Sequence, residues 1–376
     1  LQLKPDLFMT QRYAVPDQEA ARALLTHARR AGTPLLYDLD DDLIALPPDH
    51  PEAERLRPRN AGVAALLGGA NQIHVSTDIL ADRIGPLVRG GRGAITVMPN
   101  GLDEGLWSLT GESAAGWGGT PHAIAGVQSG PVRILYMGTA THGADLDLIL
   151  PALVRLHESF GERIAIELVG IVGPHALPPF LKRLDVPRRA GLSYPAFVSW
   201  LSERQRREPW AIGLAPLVDT PFNGCKSAIK MLDYAALGLP VVASAVAAYT
   251  APSAACFAQP LSLDGVEAGG YFASDEAQWF HAIARLVRRP DLRAAMAALG
   301  HRALMQDGTL AAQAACRRAA LATLAGRQTQ TGSGPAAAAR GGASVPTALP
   351  AKPAAAARPA SPATRSRKRV LSPDRA

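Results

Sequence analysis

The sequence is poor in cysteine, in aromatic residues and in lysine, and each scarcity excludes something. Three cysteines in 376 residues cannot build a disulfide scaffold. Their positions, Cys225, Cys256 and Cys316, fit no zinc-ligand spacing. An odd number of scattered thiols agrees with a reducing compartment. No apolar run reaches the ~18–20 residues that a membrane helix needs, and the longest candidate, around 235–248, is interrupted by Gly238 and Pro240. No segment repeats at a fixed period. What is abundant is apolar material: 48% of residues are hydrophobic against 19% charged, enough to bury a core. The length suits two domains of ordinary size. The chain starts at Leu1 with strand-like sequence within five residues. Either upstream sequence is missing or the start is unusual, so the lack of a signal peptide carries little weight.

The net charge of +7 is unevenly placed. From Arg327 onward the chain holds nine Lys/Arg and one acid, Asp374, so this tail is +8 and the remainder is 7 − 8 = −1. The folded part is therefore electrically balanced and offers no basis for specific nucleic-acid binding. The tail is rich in Ala, Pro and Gly and is expected to be disordered. Its cluster Arg365–Arg369 could touch an acidic membrane surface, although a solvated low-complexity extension explains it as well. Lysine usage says more. Of 39 basic residues only six are lysine, and four precede the tail: Lys4, Lys182, Lys226 and Lys230. A chain that writes positive charge as Arg has placed two lysines four residues apart.

Strand and helix patterns alternate along the chain, which implies parallel sheets covered on both faces. Residues 6–10 read as a strand, 17–31 as a helix ending at Gly32, 34–37 as a strand opening onto Asp38-Leu39-Asp40-Asp41-Asp42, and 52–67 as a helix. Residues 72–75 and 94–98 read as strands, the latter ending in Pro99-Asn100-Gly101. From Gly111 to Pro131 the pattern collapses into small residues and suggests a linker. The alternation restarts with strands at 132–137 and 164–169 around a helix at 145–160. A helix at 196–203, a strand at 210–217, a helix at 226–237, a strand at 240–243, and helices at 275–288 and 292–324 complete it, with Ser274 as an N-cap. The expected divisions are an N-terminal domain (1–112), a linker (113–131), a C-terminal domain (132–325) and a basic tail (326–376).

The richest stretch in chemistry runs from Trp210 to Ser244. A buried strand enters a loop containing Pro216, Pro221, Asn223 and Gly224, and a helix follows; ligands in open α/β sheets bind at such strand ends. On a helix, Lys226, Lys230 and Asp233 fall on one polar stripe in its first turns. Helix N-termini favour anions, and two ammonium groups there oppose the dipole unless an anion fills the site. Ser227 adds a hydroxyl, and Asp233 can accept from vicinal hydroxyls such as those of a ribose. A diphosphate plus a diol describes a nucleotide-sugar. The bland alternative is a solvated helix face with a Lys–Asp pair.

This stretch resembles the donor-binding domain of GT-B glycosyltransferases, especially family-4-like bacterial enzymes (glycosyl transferases group 1) of polysaccharide assembly. The matching elements are Leu214-Ala215-Pro216-Leu217, Phe222-Asn223, Lys226-Ser227, Lys230, Asp233-Tyr234 and Gly238-Leu239-Pro240-Val241-Val242. Upstream, Tyr136-Met137-Gly138-Thr139 with His142 and Asp145 looks like the opening of the same domain. Tyr37 to Asp42, Val75-Ser76-Thr77 and Pro99 to Asp103 look like the N-terminal domain of this group, so the likeness covers about residues 6–325. The resemblance implies two Rossmann-like doubly wound domains. It also implies an N-terminal domain that is incomplete, its first strand and Gly-rich loop lying before Leu1. It implies that Lys226 and Lys230 hold the donor diphosphate and stabilise the leaving group, that Asp233 holds the ribose, and that Gly138, Thr139, Asn223 and Ser227 approach the donor. The family's two glutamates eight residues apart are here Cys225 and Asp233.

Other candidates were weighed singly. Asp40, in the acidic run, could act directly or orient an acceptor, could be structural, or could bind a divalent metal; the balance is against a metal. His142 lies in a site loop and could contact donor or acceptor. His74 reads as a core histidine and Cys225 as a bystander. The expectation is a metal-independent glycosyltransferase without a cofactor. It would move a sugar from a nucleotide-diphosphate donor to a glycan or lipid-linked acceptor of the cell surface, in the cytoplasm or at the inner face of the membrane. A non-catalytic nucleotide- or glycan-binding protein and a sugar-nucleotide epimerase are the rivals.

Overall fold

The computed structural model describes residues 5–48, 50, 52–109, 130–139, 142–170, 177–252, 254, 256–261 and 265–326. The expected linker, except for residues 130–131, and the expected tail, except for Gly326, lie outside the described residues. Among the described residues the strands form two wholly parallel sheets. The first has the order β1 (Phe8–Gln11), β2 (Leu35–Leu39), β3 (Gln72–Val75), β4 (Ile95–Val97). Between its strands run α1 (Gln18–Ala31), α2 (Asn60–Gly69) and α3 (Asp78–Ile84). Helix α1 starts where the Asp17 carboxylate accepts from Ala20 N and stops at Gly32, whose φ of 64° is the left-handed conformation that glycine adopts freely. Leu35, Tyr37, Leu39, Ile73, Val75 and Ile95 bury one face of the sheet against Leu25, Val63, Leu66 and Leu80.

The second sheet has seven strands and contains the point that matters for ligand binding. Its first strand in the chain, β5 (Val132–Met137), leads through α4 (Gly143–Phe160) to β6 (Ile164–Val169) and then to the edge strand β7 (Leu181–Leu184). The chain returns through α5 (Tyr194–Arg207) to β8 (Ile212–Ala215), which pairs with the other side of β5. It continues through β9 (Val241–Ser244) to β10 (Gln259–Pro260) and β11 (Gly270–Ala273), in the spatial order β9-β11-β10. Strand order therefore reverses between β5 and β8, and their carboxyl ends open a crevice where ligands of such sheets bind. Between β8 and β9 lie a one-turn helix α6 (Pro221–Gly224) and α7 (Ile229–Ala236).

Tyr234 locks α7 to this crossover. Its buried hydroxyl donates to Leu214 O of β8 at 2.7 Å and accepts from Met137 N of β5 at 3.1 Å. The ring lies over Gly213, where a Cβ would sit 2.5 Å from ring carbons. Close packing at glycine thus sets the height of α7 above the two strands.

Three helical expectations are corrected. Residues 226–237 are not one helix: Lys226, Ser227 and Ala228 are irregular, and α7 begins only at Ile229. The reason is tertiary, because Cys225 and Ser227 are held by the first half of the chain, as described below. Residues 52–67 break at a tight turn, Arg57–Arg59, where Pro58 cannot continue the helical hydrogen bonds. Residues 292–324 are split into α9 (Pro290–Ala303) and α10 (Leu310–Gly326), which follow α8 (Glu276–Arg288). At the split Leu102 pairs with Thr309: Leu102 N donates to Gly308 O and Leu310 N to Leu102 O, both at 2.8 Å. The last helix is thereby tied to the end of the first sheet, where Arg317 also donates to Pro99 O at 2.5 Å. Asp275, rather than Ser274, caps α8.

Gly213→Ala should lower the thermal unfolding midpoint, since overpacking against an immobile ring costs about 1–3 kcal/mol. An unchanged midpoint would mean that the Tyr234 ring is not held against the strand.

Candidate functional site

The loop after β5 and the loop after β8 meet at the crossover. In the first, Gly138 N donates to Val169 O at 3.0 Å and His142 N donates to Thr139 O at 3.1 Å. A Cβ on Gly138 would lie 2.9 Å from His142 Cδ2, so glycine lets the imidazole close against the backbone. His142 Nδ1 lies 2.6 Å from Asp145 Oδ2, and the other oxygen of this buried carboxylate accepts from Val218 N at 2.7 Å. Asp145 therefore ties the two loops together. Burial lowers the imidazole's proton affinity, against the opposing effect of Asp145.

The second loop is built by its own side chains. Asn223 N donates to Thr220 Oγ1 at 3.1 Å, and Asn223 Nδ2 donates to Val218 O at 2.8 Å. Cys225 is 1% exposed and packs with the core of the first half, a buried thiol with a packing role and no part in the chemistry. Burial pushes its thiol up to about 11. Its carbonyl accepts from Thr77 Oγ1 at 3.0 Å, and Ser227 Oγ accepts from Asn100 Nδ2 at 2.8 Å. These contacts pull residues 225–228 out of helical conformation. They also bring the Ser76-Thr77 and Pro99-Asn100 segments of the first half against the site.

The two lysines sit differently. Lys226 Nζ is 3.7 Å from Asp41 Oδ1, at the end of β2, and lies over the Phe222 ring. Lys230 Nζ is 3.3 Å from His142 Nδ1 and 5.5 Å from the Tyr136 ring centre. Among the described residues no carboxylate forms an ion pair with Lys230. Burial first of all, with Lys226 adding to it and Asp145 and Asp233 opposing, brings its ammonium down to about 8. No side chain caps the N-terminus of α7 beside it. Asp233 lies one turn further along; burial pushes it up to about 7, against Lys230 and a hydrogen bond from Tyr194. Lys230 and Asp233 keep some accessible surface as residues, yet Asp233 Oδ1 is enclosed and, among the described residues, has no hydrogen-bond partner. Tyr194 in turn accepts from Trp107 Nε1 at 3.2 Å.

The acidic run is occupied by protein partners. Arg12 Nη1 donates to Asp40 Oδ1 and, at 3.2 Å, to Asp41 Oδ2. Asp42 is buried and accepts from Arg83 Nε at 3.1 Å and Ala45 N at 3.2 Å. Burial raises Asp38 and Asp40, with neighbouring acids adding to it. Among the described residues no three His, Cys, Asp or Glu side chains converge as metal ligands. His74 is 5% exposed in β3, as a core histidine would be.

Around Lys230 thus stand His142, Asp145, Lys226 and Asp233. Gly138 packs on His142, Asn223 shapes the β8 loop, and Ser227 turns to Asn100 in a pocket lined also by Thr77, Leu232 and Gln313. Asp40 is joined to Lys226 only through Arg12 and Asp41. Tyr194, which bonds Asp233 from a distant segment, carries no local signal in the sequence. Asn100 and Asp145 stand in stretches that the resemblance marks, without a role there; the structure joins Asn100 to Ser227, and Asp145 to His142 and Val218.

No protein-family model matches this sequence. No curated protein matches it either. Solved structures do. HepE from Anabaena, in complex with UDP-glucose, matches with TM-score 0.51 and 14% identity over 87% of this chain and 78% of that one. Sucrose-phosphate synthase from Thermosynechococcus elongatus matches with TM-score 0.56 and 14% identity over 88% and 75%. WaaG, a glycosyltransferase involved in lipopolysaccharide biosynthesis, matches with TM-score 0.51 and 14% identity over 79% and 80%. At such identities the likeness is one of fold. The chain has the α/β architecture of the GT-B glycosyltransferases. Among the described residues no helix is long and apolar enough to cross a membrane.

Lys230→Met removes a buried cation that lacks an acid beside it. A lysine whose folded value lies below its unfolded one costs stability at low pH, and the cost is relieved as pH rises from about 8 toward 10.5. The variant should be more stable than the wild type at pH 7, by on the order of 2–3 kcal/mol. It should also lose the wild type's gain in stability between pH 8 and 10.5. Denaturant titrations across that range check both, and a destabilised variant would contradict them.

Proposed function

We propose that this protein is a glycosyltransferase that uses a nucleotide-diphosphate sugar. The observation that carries this reading is the buried Lys230 ammonium. It stands without an acid partner at the strand crossover and beside an uncapped helix N-terminus. Such a group is stabilised by an anion, and a diphosphate supplies one. Lys226 reaches the same anion by leaving Asp41. Gly138, Thr139 and Ser227 line the approach, and Asn223 shapes the loop. The free oxygen of Asp233 accepts from the ribose diol. In the reaction the bond from the anomeric carbon to the diphosphate oxygen breaks, with its electron pair passing to the diphosphate. The acceptor hydroxyl oxygen forms the new bond to the anomeric carbon, and its proton passes to the departing diphosphate. The two lysines stabilise charge on the leaving diphosphate, so transfer needs no metal. His142 faces this site from the β5 loop, and Asp40 orients the acceptor side through Arg12 and Asp41.

In this reading residues 1–112 bind the acceptor and residues 132–325 bind the donor. The acceptor is a glycan or lipid-linked molecule of the cell surface, and the protein works in the cytoplasm or at the inner membrane face, with the basic tail against the lipid. The HepE complex with UDP-glucose and the role of WaaG in lipopolysaccharide biosynthesis support donor and acceptor class by analogy. A nucleotide- or glycan-binding protein without transfer is the second reading. It is favoured by Cys225, which fills a core where the family resemblance places an acid.

Thermal-shift measurements with UDP, GDP, dTDP and CDP test the proposal. One of them should stabilise the protein by about 2.7 kcal/mol at a hundredfold excess over Kd. Lys226→Ala and Lys230→Ala should abolish most of that stabilisation without unfolding the free protein. Failure of all four nucleotides sinks the proposal. Binding without any donor hydrolysis or sugar transfer selects the second reading.

A further inference from the structure

Asp145 has no direct place in the chemistry proposed above, yet it is the best-anchored acid of the site. It is 5% exposed, and both carboxylate oxygens are committed, one to the His142 ring and one to Val218 N. A nitrogen 2.6 Å from a carboxylate oxygen carries the shared proton, so the imidazole is held as its Nδ1–H form. The Lys230 ammonium lies against the same nitrogen at 3.3 Å. With its proton turned to Asp145, that nitrogen offers Lys230 no acceptor; what it does is bring the carboxylate of the first turn of α4 to within about 6 Å of the ammonium of the first turn of α7, close enough for the two charges to attract.

We propose that Asp145 is a positioning residue for the anion site: with one His142 ring nitrogen between them, its carboxylate holds the Lys230 ammonium in place and in its protonated form. The proposal rests on reading Lys230 as the diphosphate lysine. The other groups facing Lys230 cannot do this work. Lys226 opposes its charge, Tyr136 presents a ring, and Asp233, itself pushed up to about 7 by burial, supports the charge less than Asp145 does. Tyr194 is engaged with Asp233 and Trp107, while Tyr234 is engaged with Leu214 and Met137. With Asp145 neutral, burial acts on Lys230 with little opposition and the site loses its cation at ordinary pH.

Asp145→Asn tests this, because the amide keeps an oxygen for Val218 N but carries no charge. With only six lysines in the chain, 13C-labelled lysine gives a simple NMR spectrum, and Lys230→Met identifies the Lys230 signal. In the wild type that signal should titrate near 8. In Asp145→Asn its midpoint should fall by at least one pH unit. Inorganic pyrophosphate should bind the variant at least tenfold more weakly at pH 7.5 and recover affinity when the pH is lowered. A merely structural loss would not be rescued by acid. An unmoved midpoint, or weak binding that acid does not restore, overturns the proposal. Should the wild type bind neither pyrophosphate nor UDP, the donor reading fails while the NMR midpoint still decides the coupling. If Asp145→Asn does not fold, the Lys230→Met/Asp145→Asn double variant decides. A double variant that folds supports the coupling, since the cation that needed Asp145 is gone. One that also fails to fold assigns Asp145 a purely structural role and overturns it.

Discussion

Everything at the crevice depends on two loops being held at a fixed separation, and one buried carboxylate does the holding. Asp145 accepts a hydrogen bond from the His142 ring at one oxygen and from the Val218 amide at the other. Charge-assisted hydrogen bonds of this kind are among the stronger ones in proteins. The first fixes the imidazole above Gly138, and the second fixes where the β8 loop departs. Tyr234 supplies the complementary restraint from below by joining Leu214 and Met137. Between these two anchors Lys230 has little freedom, which is how a long, flexible side chain becomes a defined positive point.

The first half of the chain takes part through ordinary packing and polar contacts. Cys225 sits in its core, Thr77 and Asn100 hold the backbone and side chain of residues 225–227, and Asp41 faces Lys226. The Lys226–Asp41 pair is long and partly solvated, so it contributes little stability and yields readily to a stronger anion. Arg12, shared between Asp40 and Asp41, offsets part of the negative charge that faces Lys226.

Much of the architecture was legible because parallel strands buried on both faces read as apolar runs; Val132–Met137 and Ile164–Val169 appear where expected. The edge strand Leu181–Leu184 was not legible, because only its end residues are buried and Lys182 and Arg183 face solvent. Gly270–Ala273 was hidden by the glycines that let it approach Val241. At the candidate site the backbone differs from the expectation: Lys230 and Asp233 share α7, but Lys226 lies outside it, its position set by Cys225 and Ser227 binding a distant part of the chain. Local propensity could not foresee that, since tertiary contacts override it. Tyr194 was illegible for the same reason, and the Pro99-Asn100-Gly101 turn was legible as a motif while its partner Ser227, 127 residues away, was not.

The pairing of Leu102 with Thr309 carries a consequence for how a cavity is walled. It straps the final helix across the end of the first sheet, next to Pro99 and Asn100, within a few residues of the Ser227 contact. The first turns of that helix therefore belong to the same wall as residues 227–229: Gly308 and Gln313 line one cavity with Ser227 and Ile229, so a segment far along the chain shapes the space beside the start of α7.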